Sequence, residues 1–152
     1  MKKIMCIVVL LAITVALSVF AGTTTNYVGS ASVLSADGLD KVYVVENTVT
    51  FGSTVSNDVF LCVAVPAKHM VLAATVEVLT TNSNGSATFA LGDAGSATQY
   101  DASTDMNATS VTTSPASAWE YYTSASDIRL TTLAAITGGT ARVRAVIADL
   151  SK

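Results

Sequence analysis

Asn57–Tyr100 reads NDVFLCVAVPAKHMVLAATVEVLTTNSNGSATFALGDAGSATQY. Asp58 to Val65 is apolar at nearly every position, the pattern of a strand covered on both faces. Pro66 ends it, because proline has no N–H for a sheet ladder. Met70 to Leu79 then alternates, with Met70, Leu72, Ala74, Val76 and Val78 sharing one side. That even side is predicted to face the core, since Glu77 on the other side is costly to bury unpaired. Asn82 to Ser86 is a turn, with Asn84-Gly85 suited to positive φ. Ala87, Phe89 and Leu91 again fall on one face of a short strand.

The same rhythm extends outward. Val42 to Val45 and Val49 to Phe51 read as a strand interrupted near Glu46-Asn47. Gly92 to Ser117 is a long irregular section of small and polar residues, with a short strand near Ser110 to Thr113. Trp119 to Thr123 and Asp127 to Leu133 read as a strand pair, Ile128 and Leu130 inward and Arg129 outward. Thr137-Gly138-Gly139-Thr140 predicts a hairpin turn. Ala141 to Leu150 is the last strand, and its alternation breaks after Arg144, which a bulge or a two-sided cover explains. About eight strands, with turn signals every ~8–12 residues, predict an all-β antiparallel β-sandwich of jelly-roll-like type.

Charged residues make up 12% of the 152-residue chain, about half the ~25% of an average globular protein. Ser, Thr, Ala and Val take their place, a composition for pleated surfaces and turns. Formal net charge is −3. Arg142 and Arg144 share one side of one strand and make no phosphate-tracking stripe, so nucleic acid is not an expected partner. Weakly charged strand edges offer little protection against further pairing, which is compatible with self-association.

The N-terminal segment stands apart. Met1-Lys2-Lys3 is basic, and Ile4 to Phe20 is apolar apart from Thr14 and Ser18. Val19-Phe20-Ala21 places small residues at the −3 and −1 positions of a cleavage site. Residues 1–21 are therefore read as an apolar helix serving as a signal peptide or, uncleaved, as a membrane anchor; its length nearly matches a ~30 Å hydrocarbon core. Residues 22–40 are read as an extended arm or loosely held first strand, and residues 41–152 as the β-sandwich domain. Of the two cysteines, Cys6 lies in the apolar segment, which leaves Cys62 as a small buried hydrophobe.

Several elements in order carry a family resemblance. They are Pro66-Ala67-Lys68, the Val-rich run from Met70 to Leu79, the loop from Asn82 to Ser86, the short strand from Ala87 to Leu91, Gly92-Asp93 and Tyr100. Tyr121-Tyr122, the stretch Asp127-Ile128-Arg129-Leu130 and a closing Val-rich strand continue the series. The layout resembles small β-sandwich structural proteins of tailed bacteriophages, of the head-decoration or head-fibre kind, over roughly Val42 to Leu150. The resemblance implies a virion location, self-association as a homo-oligomer, and docking on a capsid or other virion protein. Members of that family usually begin with a short polar arm, and the apolar segment here departs from that pattern. It keeps an exported cellular role, as an adhesin or extracellular matrix subunit, as the alternative. A membrane is implied only through residues 1–21.

The residues that carry chemistry are few. His69 is the only histidine, and no Gly-x-Ser-x-Gly elbow accompanies it. It reads as a solvated turn residue. Asp93, Asp101 and Asp105 form the one local acidic group, and a flexible oxygen-rich loop is a place for Ca²⁺. Turn aspartates also arise for backbone reasons alone. Trp119, Tyr121 and Tyr122 are the densest aromatic group. On a strand, Trp119 and Tyr121 share a face opposite Tyr122, so one face joins the core and the other is free for a partner subunit or a sugar. No nucleotide fingerprint, metalloprotease motif or cysteine pair occurs, and neither a catalytic residue nor a cofactor is expected.

Overall fold

The computed structural model describes residues 24–26, 30–34, 42–83, 85–115 and 118–151. The predicted apolar helix within residues 1–21 and the turn residue Asn84 lie outside the described residues. Eleven strands are present among the described residues: β1 (Thr24–Asn26), β2 (Ser30–Leu34), β3 (Val42–Thr50), β4 (Val59–Val65), β5 (His69–Thr80), β6 (Thr88–Asp93), β7 (Asp101–Asp105), β8 (Val111–Thr113), β9 (Glu120–Tyr122), β10 (Ser126–Thr132) and β11 (Thr140–Asp149). They form two sheets. One runs β1-β4-β10-β6-β7; the other runs β2-β3-β11-β5-β8, with β9 also on the free side of β5. Every pairing is antiparallel except β1 with β4.

From β3 to β6 each strand lies in the opposite sheet from the one before it. This corrects two of the expected pairings. Thr137 to Thr140 is not a hairpin, because β10 and β11 belong to different sheets. Gly139 instead has φ +106 and sits where a Cβ would fall 2.6 Å from the Thr80 carbonyl oxygen, so only glycine fits the crossing. Likewise β9 and β10 do not pair; β9 joins β5 and β10 joins β4 and β6. Local turn residues mark where a chain reverses, but not whether it reverses within a sheet or across the sandwich.

The two inner faces fill one core. Phe51 packs edge-on against Phe60 at 5.0 Å and stacks on Phe89 at 5.8 Å. Val49, Leu91, Ile128, Leu130, Val143 and Ile147 are fully buried around them. Each such side chain contributes roughly 1.5–3 kcal/mol by leaving water. Ala87, Phe89 and Leu91 do share the core face.

The long strand β5 departs from its expected register. Val146 pairs with Ala73 and Ile147 with Val71, so Leu72 is an unpaired bulge residue. The bulge moves Val71 into the core beside Ala74, Val76 and Val78, and leaves Met70 and Leu72 half-buried. The irregularity expected in β11 thus resides in its neighbour; β11 itself alternates from Ala141 through Ile147. A second shift leaves Cys62 unpaired on β4 and buries both Cys62 and Val63. Burial pushes the Cys62 thiol up to about 12, so it stays protonated and inert. Ala64 of β4 is exposed, so that strand is not covered on both faces along its whole length.

β3 is continuous, not interrupted at Glu46-Asn47. The inward Asn47 is accommodated because its Nδ2 donates to the Cys62 carbonyl across the sandwich, 2.9 Å away. Glu46 lies on the outer face, where Glu46, Glu77, Arg142 and Arg144 pair with one another. Arg142 Nη2 stands 2.6 Å from Glu77, and Arg144 bonds both glutamates. Arg142 and Arg144 are thus on one side of β11, as expected, but their charges are matched by acids on the flanking strands.

The polar run DASTD of β7 was not legible as a strand, and the segment read as an extended arm or loosely held first strand contains two strands, β1 and β2. β1 pairs with the outer edge of β4 and β2 with the outer edge of β3. β4 is an apolar strand, VFLCVAV, of the kind that aggregates when its edge is open. Removing residues 1–26 is therefore expected to leave the β-sheet circular dichroism signal intact and to give concentration-dependent association in analytical ultracentrifugation. A truncated chain sedimenting like the parent at every concentration would show that β1 does not protect this edge.

Candidate functional site

The strands place two groups of connections at opposite ends of the sandwich. At one end the crossings are tied by buried polar residues. Asp58 Oδ2 accepts from Val55 N at 2.9 Å, and Asp58 N donates to Thr132 Oγ1 at 2.9 Å. Asn82 Oδ1 accepts from Thr137 Oγ1 at 2.8 Å. Those contacts are structural: they satisfy backbone groups where the chain changes sheets.

The other end holds most of the residues singled out by the sequence. Tyr122 on β9 points inward and is 8% exposed. Its hydroxyl donates to Asp93 Oδ2 at 2.7 Å and lies 2.6 Å from the Tyr100 hydroxyl. Asp93 Oδ1 accepts from the backbone N–H of Gly95 at 2.8 Å and of Ser96 at 2.7 Å. Gly92 makes this tight loop possible, since a Cβ there would lie 2.1 Å from the Ser96 carbonyl oxygen. One buried carboxylate thus holds the loop after β6, and two tyrosines connect it to β9 in the other sheet. Burial pushes the Tyr100 phenol up to about 12, with the neighbouring Asp93 and Glu120 charges adding to the rise. Burial and the bond to Asp93 raise Tyr122 further still.

Trp119 and Tyr121 lie outward, 58% and 43% exposed. The aromatic group is therefore divided as its alternation predicts, Tyr122 in the core and the other two in solvent. Asp93, Glu120, Tyr121, Tyr122 and the Thr123–Ser126 segment line an open cavity of about 320 Å³ at this end. Sequence reasoning missed the cavity and Glu120. Nothing in the local pattern indicates that the loop after β6 and the strand β9, 27 residues apart, meet across the sheets (Asp93 and Glu120).

The three calcium candidates are engaged separately. Asp101 stands opposite Leu91 and Asp105 opposite Thr88, and Thr88 lies roughly 16 Å along β6 from Asp93. Asp101 accepts from Thr104 Oγ1, and Asp105 accepts from both nitrogens of Asn107. Among the described residues no three metal-ligating side chains gather. His69 is not a solvated turn residue. It opens β5, its Nδ1 lies 2.9 Å from the Ala67 carbonyl oxygen, its ring packs edge-on against Tyr43, and its Nε2 is 3.6 Å from Asp149.

No protein-family model and no curated protein matches the chain. Solved structures do. The chain is similar to a chain of the capsid asymmetric unit of cyanophage Pam1, with TM-score 0.61 and 26% identity, covering 76% of this chain and 91% of that one. It shares its fold with a chain of the capsid of Ralstonia phage GP4, with TM-score 0.60 and 12% identity over 78% and 91% of the two chains. It also shares it with a chain of the acidic stable capsid structure of Helicobacter pylori bacteriophage KHP30, with TM-score 0.55 and 17% identity over 82% and 95%. The class defined is a two-sheet β-protein with the fold of chains found in phage capsids.

Replacing Tyr122 with Phe removes a donor from buried Asp93 and a partner from Tyr100. Chemical denaturation is expected to show a loss of about 1–3 kcal/mol. The two phenols also set an alkaline limit. A phenol whose folded value is raised supports the fold fully below its unfolded value of ~10 and loses that contribution as pH rises through the folded value. Thermal stability should therefore fall from pH ~10 upward, through the Tyr100 value of about 12. The double variant Tyr100→Phe, Tyr122→Phe should lose less of its own stability over that interval.

Proposed function

We propose that this chain is a non-enzymatic virion structural protein, a capsid decoration or head-fibre subunit that associates with itself and docks on a coat lattice. The observation that carries the reading is the likeness to a chain of a cyanophage capsid, which extends over three quarters of this sequence at 26% identity. The low charge of the chain agrees with it, because charged residues are depleted at the core of protein interfaces. So do the outward Trp119 and Tyr121, since exposed aromatic residues are the side chains most often found as interface anchors. Docking by shape and by such anchors asks for neither a cofactor nor a metal. In this reading residues 1–21 carry the chain to or through a membrane before assembly, and the loop segment between β6 and β9 varies to suit the partner.

Mass spectrometry of gradient-purified, nuclease-resistant particles tests the proposal. The protein is expected there in stoichiometric amount, and a first residue at Gly22 would show that export precedes assembly. Its absence from particles, together with presence in the cell envelope or culture supernatant, would overturn the virion reading. A double variant Trp119→Ala, Tyr121→Ala should keep its stability within ~0.5 kcal/mol, as expected for exposed positions, and be depleted from particles.

A further inference from the structure

The outer face of the second sheet, β2-β3-β11-β5-β8, is ordered along its strands. Directly opposed residues of an antiparallel ladder share a face, so Tyr121, Met70, Ala148 and Val42 form one row across β9, β5, β11 and β3. Ala73, Val146 and Val44 form the next. Their alternates Val71, Ile147 and Val45 are in the core, so both rows point outward. Arg144 with Glu46, and Arg142 with Glu77, occupy the two rows after that. Val111, opposite Glu77 on the edge strand β8, is 62% exposed. At the two ends of the first row Val42 is 39% and Tyr121 43% exposed. Contiguous apolar surface with a polar border marks a place of contact. The outer side of the first sheet differs. There the loop after β6 lies over Gly92, where a Cβ would strike the Ser96 and Ala97 backbone, and Ala90 two residues before it is fully buried.

Size and charge choose the occupant. The sheet is five strands wide and β11 is ten residues long. Its outer face therefore measures about 24 by 33 Å, a footprint of roughly 800 Å², which is what one partner contributes to a stable association. Another sheet fits such a face, because sheets pack on one another with their strands nearly aligned. The charges select a copy of the same face. Glu46, Glu77, Arg142 and Arg144 cancel one another on it. Elsewhere among the described residues the acids outnumber the bases Lys68 and Arg129. Two copies of this acidic chain repel one another across those other surfaces and do not across this one. A basic or an acidic partner gains nothing from a face without net charge. A two-fold axis running along the strands lays apolar rows on apolar rows, and a single contact then buries the patch of both copies.

We propose that the outer face of the second sheet is the contact between two copies of this chain, packed sheet on sheet about a two-fold axis. The inference names the surface for the self-association proposed above, and it rests on that reading for a copy in preference to a coat protein. Sedimentation equilibrium of the full chain tests it, and a monomer–dimer equilibrium is expected. Val42→Lys with Val44→Lys sets unpaired charge among the apolar rows and should weaken the dimer about a hundredfold or more. Val42→Thr with Val44→Thr keeps the β-branched shape and should weaken it about tenfold. If circular dichroism shows that the lysine pair does not fold, the threonine pair decides. Ala64→Lys, at an exposed position of the first sheet, should leave the dimer unchanged. A monomer at every concentration, a trimer or larger assembly, a dimer that survives the valine variants, or equal weakening by Ala64→Lys overturns the proposal. So does a monomer whose valine variants are lost from particles, since the face then docks on the coat. These variants leave Trp119 and Tyr121 untouched, which keeps the two readings separable. A dimer absent from particles upholds the contact and refutes the virion role; a monomer abundant in particles does the reverse.

Discussion

The structure depends on the mutual burial of two inner sheet faces by strands that cross from one sheet to the other. From β3 to β6, no strand pairs with its neighbour in sequence. Neither sheet can be completed before the other is under way, and neither has a core without its partner. Such a winding is built from contacts distant in sequence, which makes folding slow for the chain's size. It also dictates the unusual backbone positions. Asn57 and Lys68 take positive φ without being glycine, at 71° and 61°, and both stand beside crossings. Gly139, at φ 106°, stands at another. The strain is tolerated because the strands on either side are fixed by the core.

Crossing connections carry backbone groups that no ladder satisfies, and the fold supplies them with side chains. At one end Asp58, Thr132 and Asn82 do this; at the other Asp93 does, and it is in turn tied to Tyr122 and Tyr100. The second arrangement does more than satisfy donors. It fixes β9 against the loop after β6, and so decides where Tyr121 and Trp119 stand outside. The buried Tyr122 and the exposed Tyr121 therefore share one short strand of three residues, Glu120–Tyr122. Alternation turns Tyr122 inward and Trp119 and Tyr121 outward.

The same division appears on the outer face of the second sheet. There Arg142 and Arg144 are matched by Glu46 and Glu77, so these four charges pair with one another in register across three strands. The guanidinium of Arg142 holds the Glu77 carboxyl below its ordinary value. Away from these pairs the chain is weakly charged, with Trp119 and Tyr121 exposed. That surface suits the role proposed on the likeness to phage capsid chains.

The amino-acid sequence by itself determined the all-β class, most strand positions and the inward or outward sense of most side chains. Period-two alternation is a local property, and it correctly puts Phe89, Leu91, Ile128, Leu130 and Tyr122 in the core and Trp119 and Tyr121 outside. Only the tertiary structure decided the bulge at Leu72, which exchanged Val71 for Leu72 in the core, because a bulge is set by the fit of two strands and not by either one. It also decided that β10 and β11 separate into different sheets, since Thr137 to Thr140 has the residues of a turn whichever way the chain leaves it. The cavity at Asp93 and Glu120 belongs to the same category. Asp93 and Glu120 lie in separate elements, and they line one recess only because the crossings bring β6 and β9 to the same end of the sandwich.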